Sequence, residues 1–231
     1  MKLKGKAIEI LGTFAADEIP DFRKFLASPY FNTNSALTRL TETILKHHPH
    51  FEGKGFTAEG LYEKAFNGRS YNDKVMKNLM SSLYTMLKDF LAHQKLRSNR
   101  AGIAAEAAGE LMKKNLASIA SMQVKRSLDE LKEVNALDDA HFRLLSSLKE
   151  TDTLTITALK GQQFAADSAV SSAEASLNNF MLSAIGALNY AVSNEFNYNV
   201  KTEPGLPGVF FAHMDLAELK KDLDLKKYAG I

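Results

Sequence analysis

Apolar side chains recur along this chain at intervals of three and four, the spacing that lines one face of an α-helix. The pattern is clearest where Val75, Met76, Leu79, Met80, Leu83, Met86, Leu87, Phe90 and Leu91 form a wide stripe. It predicts a helix over 73–98, capped by Asn72 or Asp73, with Lys95, Arg97 and Arg100 suiting its negative end. The same period predicts helices over 3–13, 17–27, 35–48 and 58–66 ahead of it. Behind it the predicted helices are 102–114, 116–134, 138–150, 162–196 and 214–228. Pro29 forces Ser28 out of the helical region, so the helix carrying Phe22, Phe25 and Leu26 stops there. Tyr30 and Phe31 are then expected to plug the gap to the next helix, which Asn32 or Asn34 caps. Thr57 caps 58–66 and Asn67-Gly68 stops it, while Asn115, Asn135 and Gly161 mark later turns. Strand signals are nearly absent. The alternation over 151–157 lies between helical patterns, and Val209-Phe210-Phe211 is too short to build a sheet.

These patterns specify an all-α protein. An N-terminal helical domain over 1–98 is expected to precede an antiparallel helical-hairpin array over 99–200, tetratricopeptide-like and solenoid-like in arrangement. The array is rich in alanine and serine, as in the run from Ala165 to Ala173, and small residues let helices approach closely. No internal sequence repeat stands out. Residues 201–231 read as a linker, over 201–208, followed by a final helix with Leu216, Leu219 and Leu223.

Composition narrows the function classes. The chain has 231 residues, 45% of them hydrophobic and 24% charged, so it has enough apolar material for a sizeable core. It contains no cysteine, which excludes disulfides, thiol nucleophiles and cysteine-held metals, and fits a cytoplasmic setting. Glu9 interrupts the only candidate signal-peptide core. The longest apolar run, 180–192, is too short for a membrane span and reads as a buried helix. Net charge is +2, but residues 1–100 carry 16 Lys/Arg against 10 Asp/Glu, whereas 101–231 carry 13 against 17. The first part can meet an acidic partner or nucleic acid, although an excess this small also suits a solvated surface.

Two segments, FRKFLASPYFN at 22–32 and LYEKAFNGRSYNDKVMKNLMSSLYTMLKDFL at 61–91, have an individual character. With weaker echoes in ELMKKNL at 110–116 and SLNNFMLSAIGALNYAVSNEF at 176–196, the chain resembles an uncharacterised family of helical proteins from Bacteroidetes-type bacteria. The resemblance implies an all-helical fold with a repeat-like continuation, in a chain shorter than other members. It implies no activity and no catalytic residues.

Few constellations carry chemistry. His47-His48-Pro49-His50 offers three imidazoles, but Pro49 breaks the one-face geometry a metal site needs, and histidine also suits a helix C-terminus. Gly53-Lys54-Gly55 lacks the spacing and the following Ser or Thr of a phosphate loop. No nucleophile elbow, paired metal-binding histidines or dinucleotide loop occurs. No catalytic, cofactor or metal site is therefore assigned, and the protein is not expected to be an enzyme. The expected function is protein–protein interaction or scaffolding, with a protein or peptide partner and no membrane. The alternative is DNA binding or a transcription-associated role through a helix-turn-helix-like segment at 58–91, using Arg69, Lys74, Lys77 and Asn78. Against it, the connection between the two helices is longer than the usual turn, and no wing follows.

Overall fold

The computed structural model describes residues 3–133 and 138–213, and every regular element among them is helical. In chain order these are α1 (Lys6–Gly12), α2 (Glu18–Ala27), α3 (Ser35–Leu45), α4 (Ala58–Ala65) and α5 (Asp73–Ser98). There follow α6 (Arg100–Lys113), α7 (Ala117–Lys132), α8 (Asp139–Lys160), a 3-10 turn (Gln162–Phe164), α9 (Ala166–Tyr198) and α10 (Gly205–Ala212). The chain divides into two compact units between Asn99 and Arg100.

In the first unit side-chain oxygens fix three helix starts by accepting from orphan backbone N–H groups. Asn34 Oδ1 accepts from Ala36 and Leu37 (3.0 and 3.2 Å), Thr57 Oγ1 from Gly60 (3.0 Å) and Asn72 Oδ1 from Val75 (3.0 Å). Asn32 takes a different role, donating to the Leu26 carbonyl and to Thr38 Oγ1 and so tying the end of α2 to α3. Ser28 is extended (φ −69°, ψ 121°), as Pro29 demands. Asn67 and Gly68 enter the left-handed region (φ 54° and 76°) and end α4.

The long helix α5 supplies the floor of this unit. Met76, Leu79, Leu83, Met86, Leu87 and Phe90 are buried against α1, α2 and α3, while α4 packs on α3. Phe90 is the hub, its ring 5.3–5.6 Å from those of Phe14, Phe22 and Phe25 at tilted or edge-on angles. The stripe is narrower than its spacing implies, since Val75 and Leu91 at its edges are exposed. The expected aromatic plug is half formed. Phe31 stacks on Phe25 at 4.1 Å, but Tyr30 is 88% exposed because the turn after Pro29 swings it outward.

In the second unit α6 packs on α7, α7 on α8 and α8 on α9, with α6 also reaching α8. Asn115 (φ 60°) turns α6 into α7, and Ala104, Ala105, Ala108 and Ala120 are buried, letting backbones approach closely. The α8–α9 contact is a polar seam. Ser183 Oγ donates to Asp139 Oδ1 (3.0 Å), the Ser146 and Ser176 hydroxyls lie 2.6 Å apart, and Ser168 Oγ donates to Asp152 Oδ2 (3.0 Å). Descending partners on α9 for ascending positions on α8 make the pair antiparallel.

Several boundaries move. The alternating segment 151–157 is helical, and α8 runs on to Gly161 (φ 104°). Its threonines satisfy their hydroxyls on the helix itself: Thr151, Thr153 and Thr157 donate to carbonyls four residues back, Thr155 to Asp152. Residues 205–208, read as linker, open α10. Pro207 lies in its first turn, where its missing N–H costs nothing, and Phe210 meets Phe180 edge-on at 5.0 Å. The run 180–192 is not wholly buried. Ile185, Tyr190 and Val192 are exposed, because α8 begins at Asp139, opposite Ser183. The predicted helix over 214–228 and the turn at Asn135 lie outside the described residues.

Phe90→Ala should destabilise the first unit by about 3–5 kcal/mol and Asn72→Ala by about 1 kcal/mol, read by denaturant unfolding. Ser168→Ala leaves the buried Asp152 carboxylate without that donor and should cost about 1–3 kcal/mol.

Candidate interaction surfaces

The four basic and amide positions of the predicted DNA-reading segment are all exposed: Arg69 in the connection, Lys74, Lys77 and Asn78 on the first turns of α5. They are not equivalent. Lys77 Nζ donates to Asp73 Oδ2 at 2.7 Å, and the Tyr71 hydroxyl donates to Asp73 Oδ1 at 3.2 Å. The hydrogen bond from Lys77 holds the Asp73 carboxyl below its ordinary range, and the same bond raises Lys77. Desolvation, then the bond to Asp73, raises Tyr71. Asp73 thus occupies Lys77, leaving Arg69 and Lys74 as the cations without an ion-pair partner among the described residues. On α5 the exposed face continues from Asn78 to Ser82, Thr85 and Asp89, and exposed Lys88, Lys95 and Arg97 carry positive charge further along the helix.

Two of the three clustered histidines are built into the fold, and His50 is exposed. His48 Nε2 donates to the Phe14 carbonyl (3.0 Å), His47 Nδ1 faces the Glu52 carbonyl (3.2 Å), and their rings pack on Phe51 and Phe56. No group of three or more His, Cys, Asp or Glu side chains able to hold a metal ion occurs among the described residues.

A second surface lies where the α6–α7 turn meets the end of α8. Met112, Leu116, Ile119, Ala158 and Leu159 line a depression of about 440 Å³, with Asn115 and Ser118 at its polar edge. Leu116, Ile119 and Leu159 are each more than two-fifths exposed, an unusual state for large aliphatic side chains placed together. The apolar period cannot separate these positions from core. Leu116 and Ile119 follow the same three-and-four spacing as the buried Ala120 and Val124, and only the packing of α8 decides which are covered. The depression is flanked along the chain by Lys114 and Lys160, both exposed; the nearby Lys113 is paired with Glu110 at 2.6 Å.

Among the described residues, no helix is long and apolar enough to cross a membrane. Comparison with protein-family models, curated proteins and solved structures finds no match.

The Asp73–Lys77 pair gives a signed expectation. Asp73 is depressed in the folded chain, so the pair's contribution is complete above the ordinary carboxylate pKa and fades as pH falls through the lowered value. Lys77→Ala should raise the Asp73 pKa toward its ordinary value in an NMR titration. An unmoved Asp73 would show that Lys77 is not what lowers it.

Proposed function

We propose that the protein is a non-enzymatic interaction module whose second unit, a short solenoid-like stack of antiparallel helical hairpins, captures a peptide. The observation that carries this reading is the depression at the α6–α7 turn, where large aliphatic side chains line a concave surface and stay open to solvent. Consecutive packing of α6 through α9 supports the hairpin-array reading, since each helix covers its neighbour and leaves outer faces for a partner. Exposed Lys114 and Lys160 favour a peptide with an apolar anchor flanked by acidic residues. The family resemblance bears on the fold and adds no activity. Absence of a membrane-spanning helix among the described residues agrees with a partner met in solution.

The second reading, nucleic acid held by 69–78, is favoured by exposed Arg69, Lys74 and Asn78 at the start of α5. It is weakened by the pairing of Lys77 with Asp73.

Selection from a displayed peptide library should enrich apolar anchors with neighbouring Asp or Glu. Ile119→Asp and Leu159→Asp should each weaken the selected peptides at least about tenfold, with the far-UV spectrum unchanged. No enrichment, or binding indifferent to both changes, would remove the peptide reading. For nucleic acid, fluorescence anisotropy with duplex DNA at about 50 mM salt decides. A steep salt dependence that Lys74→Ala makes shallower would support it, and no binding at that salt would exclude it.

A further inference from the structure

Asn67-Gly68 is the one Asn-Gly pair in the chain, and it stands exposed at the end of α4. This dipeptide carries its own chemistry. The asparagine side-chain amide lies within reach of the next backbone nitrogen, and glycine has no side chain to hinder the approach. In its deprotonated form the Gly68 nitrogen attacks Cγ of Asn67 and expels ammonia, closing a cyclic imide. Water then opens either carbonyl of the ring, giving aspartate or its β-linked isomer. Summed over both steps, a side-chain amide and one water become a carboxylic acid and ammonia, so no other reactant is needed.

The fold holds both groups away from this reaction. Gly68 N–H donates to the Glu63 carbonyl at 2.8 Å, closing the last turn of α4. Asn67 is left-handed at φ 54°, and Gly68 follows at φ 76°. Attack requires the Gly68 nitrogen to leave Glu63 and turn toward the Asn67 side chain, so the closed turn must open first. The residues around it add to the clasp. The Tyr62 ring packs on Phe66 at 4.6 Å and on Tyr71 at 5.6 Å, and the Arg39 guanidinium lies over Phe66. Yet α4 is a short element. Its eight residues bury Leu61, Tyr62 and Ala65, it packs on α3, and its start depends on the Thr57 cap. Elements with few buried contacts open at lower cost than the core.

We propose that Asn67-Gly68 is a latent deamidation site, closed by the capping turn of α4 and converted irreversibly when the end of α4 opens. The product resists reclosure. Its carboxylate stands at the C-terminal end of α4, where the helix dipole is already negative. In the β-linked isomer the main chain runs through the former side chain, so Gly68 N–H is no longer placed on the Glu63 carbonyl. The new charge also lies two residues from Arg69 in chain order, lowering the positive charge of the connection.

Peptide mapping by mass spectrometry, with the full chain held in mildly alkaline buffer, tests this. A free peptide spanning 61–72 sets the rate of the open form. The folded chain should deamidate at Asn67 at least about tenfold more slowly than that peptide, and urea should remove the difference. Thr57→Ala, which deletes the cap of α4, should speed the folded chain's reaction roughly fivefold. Asn67→Gly keeps a residue suited to the left-handed turn and should abolish the mass gain at this site. Hydrogen exchange gives an independent reading without any variant: the Gly68 amide should be protected, and that protection should be lost in the modified protein. Deamidation of the folded chain at the peptide's rate, no reaction even in urea, a Thr57→Ala rate equal to the parent's, or an unprotected Gly68 amide would overturn the proposal.

Discussion

Burial of one face of each helix is the constraint from which the rest follows, and the two units meet it with different chemistry. In the first unit the buried faces are large. Phe14, Phe22 and Phe25 converge on Phe90, which ties α2 and the segment after α1 to α5, and α5 also packs on α1 and α3. Edge-on and tilted rings interdigitate in few arrangements, so a core of this kind selects one packing. The caps at Asn34, Thr57 and Asn72 then do local work, stopping α3, α4 and α5 from fraying where the core needs them to begin.

The second unit buries smaller side chains and brings backbones closer. Alanines on α6 and α7 pack with Val124, Leu128, Leu131 and Leu148, and hydroxyls and carboxylates bond across the α8–α9 contact. A seam built this way gains less from apolar burial and more from fixed pairing, because each hydroxyl must find its partner once water is excluded. Asp152 shows the consequence. One of its oxygens is bonded by Ser168 and the other is buried without a hydrogen-bond partner, so the α8–α9 register cannot slip without exposing or orphaning a charge. The pairing is specific, and the outer surface of α9 is left with its large residues uncovered.

That distribution shapes the functional reading. The first unit spends most of its bulky side chains inward, leaving Tyr30, Val75, Leu91 and Leu96 exposed. In the second unit, where small residues make many of the helix contacts, aliphatic and aromatic groups are left outside at the α6–α7 turn and along the outer half of α9. Neither surface carries a convergent set of catalytic groups. His47 and His48 are turned to backbone carbonyls, and the clearest titratable pair, Asp73 with Lys77, is a local helix contact.

Much of the helical architecture was legible in the chain. Stripe spacing, Asn and Thr caps, Pro29 and the left-handed Asn67, Asn115 and Gly161 positions act within a few residues of themselves, so they can be read without the fold. Other features depended on partners. Threonines at 151–157 look like a strand until the helix supplies carbonyls for their hydroxyls. Tyr30 and Phe31 are adjacent aromatics, yet only Phe31 finds a ring to stack on. Lys74 and Lys77 read alike until Asp73 takes one of them. The sequence by itself determined where helices form and which face of each is apolar, because those depend on spacing along one chain. Tertiary structure alone decided which apolar faces are covered, since α8 begins opposite Ser183 and leaves the rest of α9 without that neighbour. Coverage is a property of two elements, and periodicity records only one.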